Sequence, residues 1–115
     1  MSRFSRSFLF AWNGFRLAFN EQSNLRFHVL AASLVMVAGF LFNVTVIEWC
    51  ILLFCIGLVI TAELVNSAIE GLVDLVSPEQ NEKAGKVKDI SAASVLVVSI
   101  VSAIVGIIIF SKHFF

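Results

Sequence analysis

Long apolar runs separated by short polar breaks make up most of the chain. The first run covers residues 27–42 and continues through 44–47, the second covers 49–76, and the third covers 90–110. A helix needs about 20 mostly apolar residues to cross the hydrocarbon core of a bilayer. The pattern therefore predicts three transmembrane helices, which we place at residues 26–47, 49–76 and 85–110.

The first twenty residues follow a different pattern. Apolar side chains recur there at three- or four-residue spacing, at Phe4, Phe8, Ala11, Phe15 and Ala18. Arginine and asparagine occupy the other side of the same helical wheel, which is typical of a helix lying in the membrane interface. We expect an all-α membrane protein of one domain, residues 1–115, with an amphipathic surface helix over residues 2–22 preceding the three spans.

Composition and charge agree with a membrane protein. Apolar residues make up 59% of the chain and charged residues 14%, with a net charge of zero and no basic stripe. A nucleic-acid partner is not expected, because phosphate binding requires clustered lysine and arginine. Seven of the eight basic residues fall on one predicted side of the membrane and only Lys112 on the other. By the positive-inside rule, the N-terminus and the 77–89 connection face the cytoplasm.

Acidic and amide side chains follow one face of the second predicted span. Asn66, Glu70 and Asp74 come three, seven and eleven residues after Glu63, and Ser67 borders the stripe. At 100° per residue these offsets keep the four side chains within roughly 80° of one another. Carboxylates within a membrane helix are costly unless a partner compensates them, so this face cannot point at lipid. A divalent cation is the partner that the pattern favours.

The depth of each group suggests its role. Glu63 lies deepest in the apolar segment, where a carboxylate suits the work of a general base. Glu70, about 10 Å closer to the cytoplasm by helical rise, is suited to Mg²⁺, which prefers one or two carboxylates together with phosphate oxygens. Asn66 could orient either partner, and Asp74 could act electrostatically or face a nucleotide. Two other interpretations stay open, namely that these groups join helices or form a proton or cation path.

A group of basic residues marks the start of the third span. Lys83, Lys86 and Lys88 precede the apolar run, and Asp89 follows Lys88. Lysines at an inner membrane boundary are expected from topology alone, but a helix start also suits phosphates. No Gly-x-x-x-x-Gly-Lys segment is present in the sequence, so ATP would be bound by a different arrangement.

Two segments of the chain resemble the prokaryotic diacylglycerol kinase family, which includes undecaprenol kinases. The run from Glu63 to Asp74, Glu-Leu-Val-Asn-Ser-Ala-Ile-Glu-Gly-Leu-Val-Asp, matches the first motif of that family. The run from 84 to 93, Ala-Gly-Lys-Val-Lys-Asp-Ile-Ser-Ala-Ala, matches the second. The resemblance covers nearly the whole chain and implies a homotrimer in the bacterial cytoplasmic membrane, with active sites shared between protomers.

The resemblance also implies a role for each matching residue. Glu63 and Asn66 match catalytic positions, with Glu63 as the base, and Glu70 matches a ligand of the Mg²⁺ that accompanies ATP. The nucleotide is expected at Lys88 and Asp89, together with Gly14, Glu21, Glu70 and Asp74. The lipid is expected at Trp12, Arg16, Glu63 and Ser67.

One position departs from the pattern of the family. An ungapped match places Gln22 where the family has a second metal-binding glutamate, with Glu21 one residue earlier. We expect Glu21 to be that ligand, with Gln22 as the alternative. His28, which is isolated in the sequence, is interpreted as a helix residue and not as a ligand.

The predicted function is phosphorylation of a membrane lipid hydroxyl by ATP, converting diacylglycerol to phosphatidic acid. Undecaprenol is the alternative acceptor, and the apolar spans do not choose between the two lipids. From other classes, a small oligomeric proton or cation transporter would explain the carboxylates, and a structural membrane subunit would need none of this chemistry. Neither alternative accounts for both motifs.

Overall fold

A computed structural model describes residues 2–114, which form four helices and no strand. They are α1 (Arg3–Glu21), α2 (Ser23–Leu41), α3 (Val46–Val76) and α4 (Glu82–Phe114). The last three are long and apolar enough to cross a membrane. The predicted fold class, an N-terminal helix followed by three spans, is confirmed. The homotrimer stays a prediction.

The junction between α1 and α2 is held by Arg26 and Leu25. The Arg26 guanidinium donates hydrogen bonds to the carbonyl oxygens of Phe19 and Asn20, at 2.8 and 2.9 Å. A cation at this position also stabilises the negative end of the α1 dipole. Leu25 is fully buried, so the change in chain direction after Glu21 is fixed by packing as well as by hydrogen bonds.

The turn between α2 and α3 lies earlier in the chain than the apolar runs indicate. Helix α2 ends at Leu41, not at residue 47, and Asn43 adopts a left-handed conformation with φ 53°. Thr45 then caps α3: its hydroxyl accepts from the Glu48 amide, and the Glu48 carboxylate accepts from the Thr45 amide. This reciprocal capping box starts α3 at Val46, so residues 46 and 47 belong to the second span and not to the first.

The connection between α3 and α4 follows the sequence more closely. Helix α3 ends at Val76, two residues before Pro78, which cannot continue it. The Asn81 side chain accepts a hydrogen bond from the Ala84 amide at 2.8 Å and so caps α4. Helix α4 therefore begins at Glu82, three residues before its predicted start, and extends to Phe114, four residues beyond its predicted end.

Helices α3 and α4 pack against each other in opposite directions. Lys88 contacts Asp74 where α3 ends, and Leu52 packs with Ile109 in a buried cluster near the other end. We call the end containing α1 and the 77–81 connection the basic end, and the end containing the 42–45 turn the turn end. Most large apolar side chains of the spans stay exposed, as suits surfaces that face lipid or other helices.

Candidate active site

The polar face of α3 is buried inside the helix bundle near the basic end. Glu63 is only 2% exposed and Asn66 only 5%, and Glu70 is partly buried one turn further on. The Asn66 amide donates a hydrogen bond to Glu70 Oε1 at 3.1 Å. The helical period that predicted a common face is thus confirmed for Asn66 and Glu70, and Glu63 lies on the buried side of the same helix.

Several polar atoms in this region have no partner. Glu63 accepts no hydrogen bond from any residue between 2 and 114. The buried Asn66 Oδ1, Ser67 Oγ and Ser91 Oγ likewise lack a hydrogen-bond partner in the described chain. A buried polar atom left unpaired costs about 1–3 kcal/mol. Such atoms indicate a place where a ligand or a neighbouring molecule completes the hydrogen bonding.

Lys88 and Asp74 lie at the open side of the same region. Lys88 Nζ is 2.5 Å from an Asp74 carboxylate oxygen, which joins the start of α4 to the end of α3. A cavity of about 440 Å³ lies between these two residues and the 77–85 segment. Most of the residues that line the cavity are polar or charged and the cavity is open, so a charged ligand could reach Lys88 from outside the apolar part of the bundle. Asp89 is exposed beside it.

The donor atoms near Glu70 fit a magnesium ion. Glu70 keeps one oxygen free of hydrogen bonds from the described residues, and the Asn66 amide oxygen nearby is unpaired. Within residues 2–114, no three histidine, cysteine or acidic side chains form a group able to hold a metal. One carboxylate supplemented by phosphate oxygens is a common environment for Mg²⁺ and does not require such a group.

The residues predicted on α1 do not contact the α3 face through any hydrogen bond or ion pair that the structure describes. Trp12 is 53% exposed and its ring stacks on Phe15 with centroids 6.3 Å apart. Gly14, Arg16 and Glu21 are also exposed. Their predicted roles in lipid, nucleotide and metal binding stay predictions, as does the choice between Glu21 and Gln22.

His28, which the sequence analysis interprets as a helix residue and not as a ligand, lies near the site. Its Nε2 lies 4.0 Å from Glu63 Oε2, and its side chain is 16% exposed. The two residues are on different helices, so no periodicity in the sequence relates them. The one available signal was that a histidine occurs near the start of an apolar span, where ionisable residues commonly serve a function.

An apolar cavity of about 300 Å³ lies between α2, α3 and α4 on the other side of His28. Its wall extends along α2 from Phe27 to Val35 and along α4 from Ser99 to Gly106. His28 and Ser99 mark the end of this cavity that is closer to the basic end. Apolar side chains form most of its lining, so a segment of hydrocarbon chain is a suitable occupant.

Fold and site together define a small multi-pass membrane protein with a buried carboxylate face on α3, an apolar cavity that ends one helical turn from it, and a lysine paired with Asp74. The family model for prokaryotic diacylglycerol kinase matches residues 9–110, and the chain belongs to that family. It is 37% identical to the undecaprenol kinase of Bacillus subtilis (strain 168) over 110 residues, covering 96% of this chain and 89% of the relative.

Two further relatives bear the name diacylglycerol kinase. The protein of Escherichia coli (strain K12) is 33% identical over 105 residues, covering 91% of this chain and 86% of the relative. The protein of Synechocystis sp. (strain ATCC 27184 / PCC 6803 / Kazusa) is 38% identical over 101 residues, covering 87% and 58%. All three names are those of lipid kinases, so the predicted family and enzyme class are confirmed.

Proposed function

We propose that the protein transfers the terminal phosphoryl group of ATP to the hydroxyl of a membrane lipid, with diacylglycerol or undecaprenol as acceptor. The observation that carries this proposal is the Glu63 carboxylate, buried in an apolar bundle without a hydrogen bond from the described residues. Burial largely excludes bulk water from this carboxylate. The apolar cavity ends at Ile60, one helical turn away, so we expect the lipid alcohol to approach Glu63 from that side. The relatives are named as kinases of undecaprenol and diacylglycerol, and these names indicate the class of reaction, phosphorylation of a lipid hydroxyl.

The chain's own residues account for most of the proposed chemistry. Glu63 accepts the proton of the lipid hydroxyl while the hydroxyl oxygen attacks the terminal phosphorus and the bond to ADP breaks. Asn66 orients Glu70 through its hydrogen bond, and Lys88 offsets the negative charge of the phosphates. Mg²⁺, held by Glu70 with Glu21 as a second ligand, would neutralise phosphate charge when bound.

The acceptor is the finer part of the proposal. Conversion of diacylglycerol to phosphatidic acid is supported by the relatives named diacylglycerol kinase. Undecaprenol is favoured as a second candidate by the Bacillus subtilis relative, whose alignment covers more of this chain than those two alignments do. In either case we place the basic end in the cytoplasm of a bacterium, where ATP is available, and expect a homotrimer.

The decisive experiment uses purified protein reconstituted with labelled ATP, Mg²⁺ and the two lipids in parallel, followed by separation of the products. Labelled phosphatidic acid or labelled undecaprenyl phosphate identifies the acceptor. A Glu48→Gln variant is the matched control, because it removes a carboxylate from the turn end of the same helix. Protein that consumes no ATP with either lipid, but dissipates a pH gradient in vesicles, would instead be a transporter.

A further inference from the structure

His28 is the one basic residue within 4.0 Å of the Glu63 carboxylate in the described part of the chain. The His28 Nε2 to Glu63 Oε2 separation is 4.0 Å, and no other basic side chain within residues 2–114 comes this near to the Glu63 carboxylate. The Glu63 side chain is 2% exposed and that of His28 16%. Water therefore has little access to either group, and the imidazole is the basic group placed to donate a hydrogen bond to the carboxylate.

His28 also belongs to the wall of the apolar cavity, whereas Glu63 does not. On α3 the cavity wall ends at Ile60, one helical turn before Glu63. The imidazole is therefore in contact with two regions, the space suited to a hydrocarbon chain and the carboxylate suited to take a proton. A lipid chain in that cavity would bring its hydroxyl to the end where His28 lies.

We propose that His28 is a positioning residue for Glu63, with its Nε2–H directed at one carboxylate oxygen so that the other faces the lipid hydroxyl. This inference rests on the proposed kinase function. A side-chain shift of about 1 Å brings the pair into hydrogen-bond range, and catalytic hydrogen bonds commonly shorten when the substrate binds. His28 neither gains nor loses a proton in the reaction: the proton of the alcohol goes to Glu63, and the electron pair of the breaking bond leaves with ADP.

Two substitutions separate positioning from packing. His28→Phe keeps a ring against Phe27, whose centroid lies 5.6 Å from that of His28, but removes the N–H group. His28→Gln loses the ring and keeps an N–H donor at a similar reach. The positioning role predicts that His28→Phe lowers kcat about tenfold to a hundredfold, with unchanged KM for ATP and unchanged melting temperature. His28→Gln is expected to recover most of that loss.

A spectroscopic measurement tests the contact without turnover. In protein labelled with ¹⁵N-histidine, Glu63→Gln should shift the imidazole resonances of His28 and leave those of His113 in place. His113 is an internal control because its Nε2 is 2.8 Å from Glu48 at the turn end.

The outcomes distinguish this inference from the proposed function. Wild-type protein that phosphorylates neither lipid overturns both. Active wild type with full kcat in His28→Phe overturns the positioning role alone, as does a His28→Gln variant no better than His28→Phe. A His28 resonance that ignores Glu63→Gln would show that the two side chains do not interact.

Discussion

At the turn end of the bundle Glu48 has close partners, whereas at the basic end Glu63 has none within hydrogen-bond distance in the described chain. Glu48 Oε1 accepts from the Thr45 amide at 2.9 Å and lies 2.8 Å from His113 Nε2. Both carboxylates belong to α3. The partners of Glu48 complete a helix cap and join α3 to α4, which is a structural task.

The same difference extends to packing. At the turn end the Trp49 indole fills the space beside Gly39 and the Phe40 ring lies 4.8 Å from it, so this region is closely packed. An open cavity lies beside Lys88 at the basic end, and the apolar cavity extends from His28 through the middle of the bundle to Leu52. Unpaired polar atoms and empty space both destabilise a fold. The unpaired atoms of Asn66, Ser67 and Ser91 lie towards the basic end, which indicates that this part of the bundle is shaped for a ligand, whereas the paired groups of the turn end serve stability.

Removing the Glu63 carboxylate should have the largest effect on activity. Glu63→Gln keeps the size of the side chain but cannot accept the proton of the alcohol, so kcat should fall by at least about a hundredfold. ATP binding, measured by the change in melting temperature with added MgATP, should be largely intact. The matched Glu48→Gln variant should keep its turnover.

Full turnover in Glu63→Gln would remove this residue from the base role. Equal losses in Glu63→Gln and Glu48→Gln would contradict the division between the two ends, because both variants would then be acting through the stability of α3.

The second effect concerns ATP and Lys88. Lys88→Ala should raise KM for ATP about tenfold, which corresponds to loss of one charge-assisted hydrogen bond. Asp74→Asn breaks the same ion pair but leaves the lysine in place, so its effect on KM should be smaller. Steady-state kinetics with varied ATP at saturating lipid distinguishes them. Equal KM values for ATP in the two variants would indicate that Lys88 acts only through its structural ion pair with Asp74.

Periodicity along one helix was enough to predict much of this arrangement. The spacing of Glu63, Asn66 and Glu70 fixed which side chains share a face, and Pro78 fixed where α3 ends. The start of α3 was also encoded, since Thr45-Val46-Ile47-Glu48 is a capping-box sequence. The apolar residues at 44–47 made the first span appear to continue past the capping box, because length and hydropathy say nothing about the hydrogen bonds that end a helix.

The periodicity of one helix does not predict which residues of different helices come into contact. His28 and Glu63 are 35 positions apart, and only the rotation of α2 against α3 brings their side chains together. The hydrogen bonds from Arg26 to the end of α1 depend likewise on how the chain turns after Glu21. The positive-inside rule uses only the charge of Arg26 and says nothing about its hydrogen bonds. A role that required a side chain of another protomer would be harder still to predict from the sequence of one chain.

A third prediction tests the packing of the turn end. A Cβ added at Gly39 would lie 2.6 Å from the Trp49 ring, so Gly39→Ala should destabilise the protein by about 1–3 kcal/mol. The melting temperature in detergent measures this loss. Gly57→Ala is the control, because a Cβ there meets nothing within 4 Å in the described structure. A second change, Trp49→Phe, should restore part of the stability of Gly39→Ala.

Turnover per folded molecule should be unchanged in Gly39→Ala below its melting temperature. A Gly39→Ala variant as stable as wild type would show that Trp49 can move aside, and the turn end would then be less closely packed than the structure indicates.

The smallest effect is expected from the helix cap. Thr45→Ala removes the hydroxyl that accepts from the Glu48 amide at 3.1 Å and should reduce stability by about 1 kcal/mol. Thr45→Ser keeps the hydroxyl and should behave like wild type in the same denaturant titration. Neither variant should change kcat or KM, because the cap lies at the end of α3 opposite to Glu63. A lower kcat in Thr45→Ala alone would mean that a change at the start of α3 alters the position of the site residues further along the helix. The turn end would then contribute to catalysis as well as to stability.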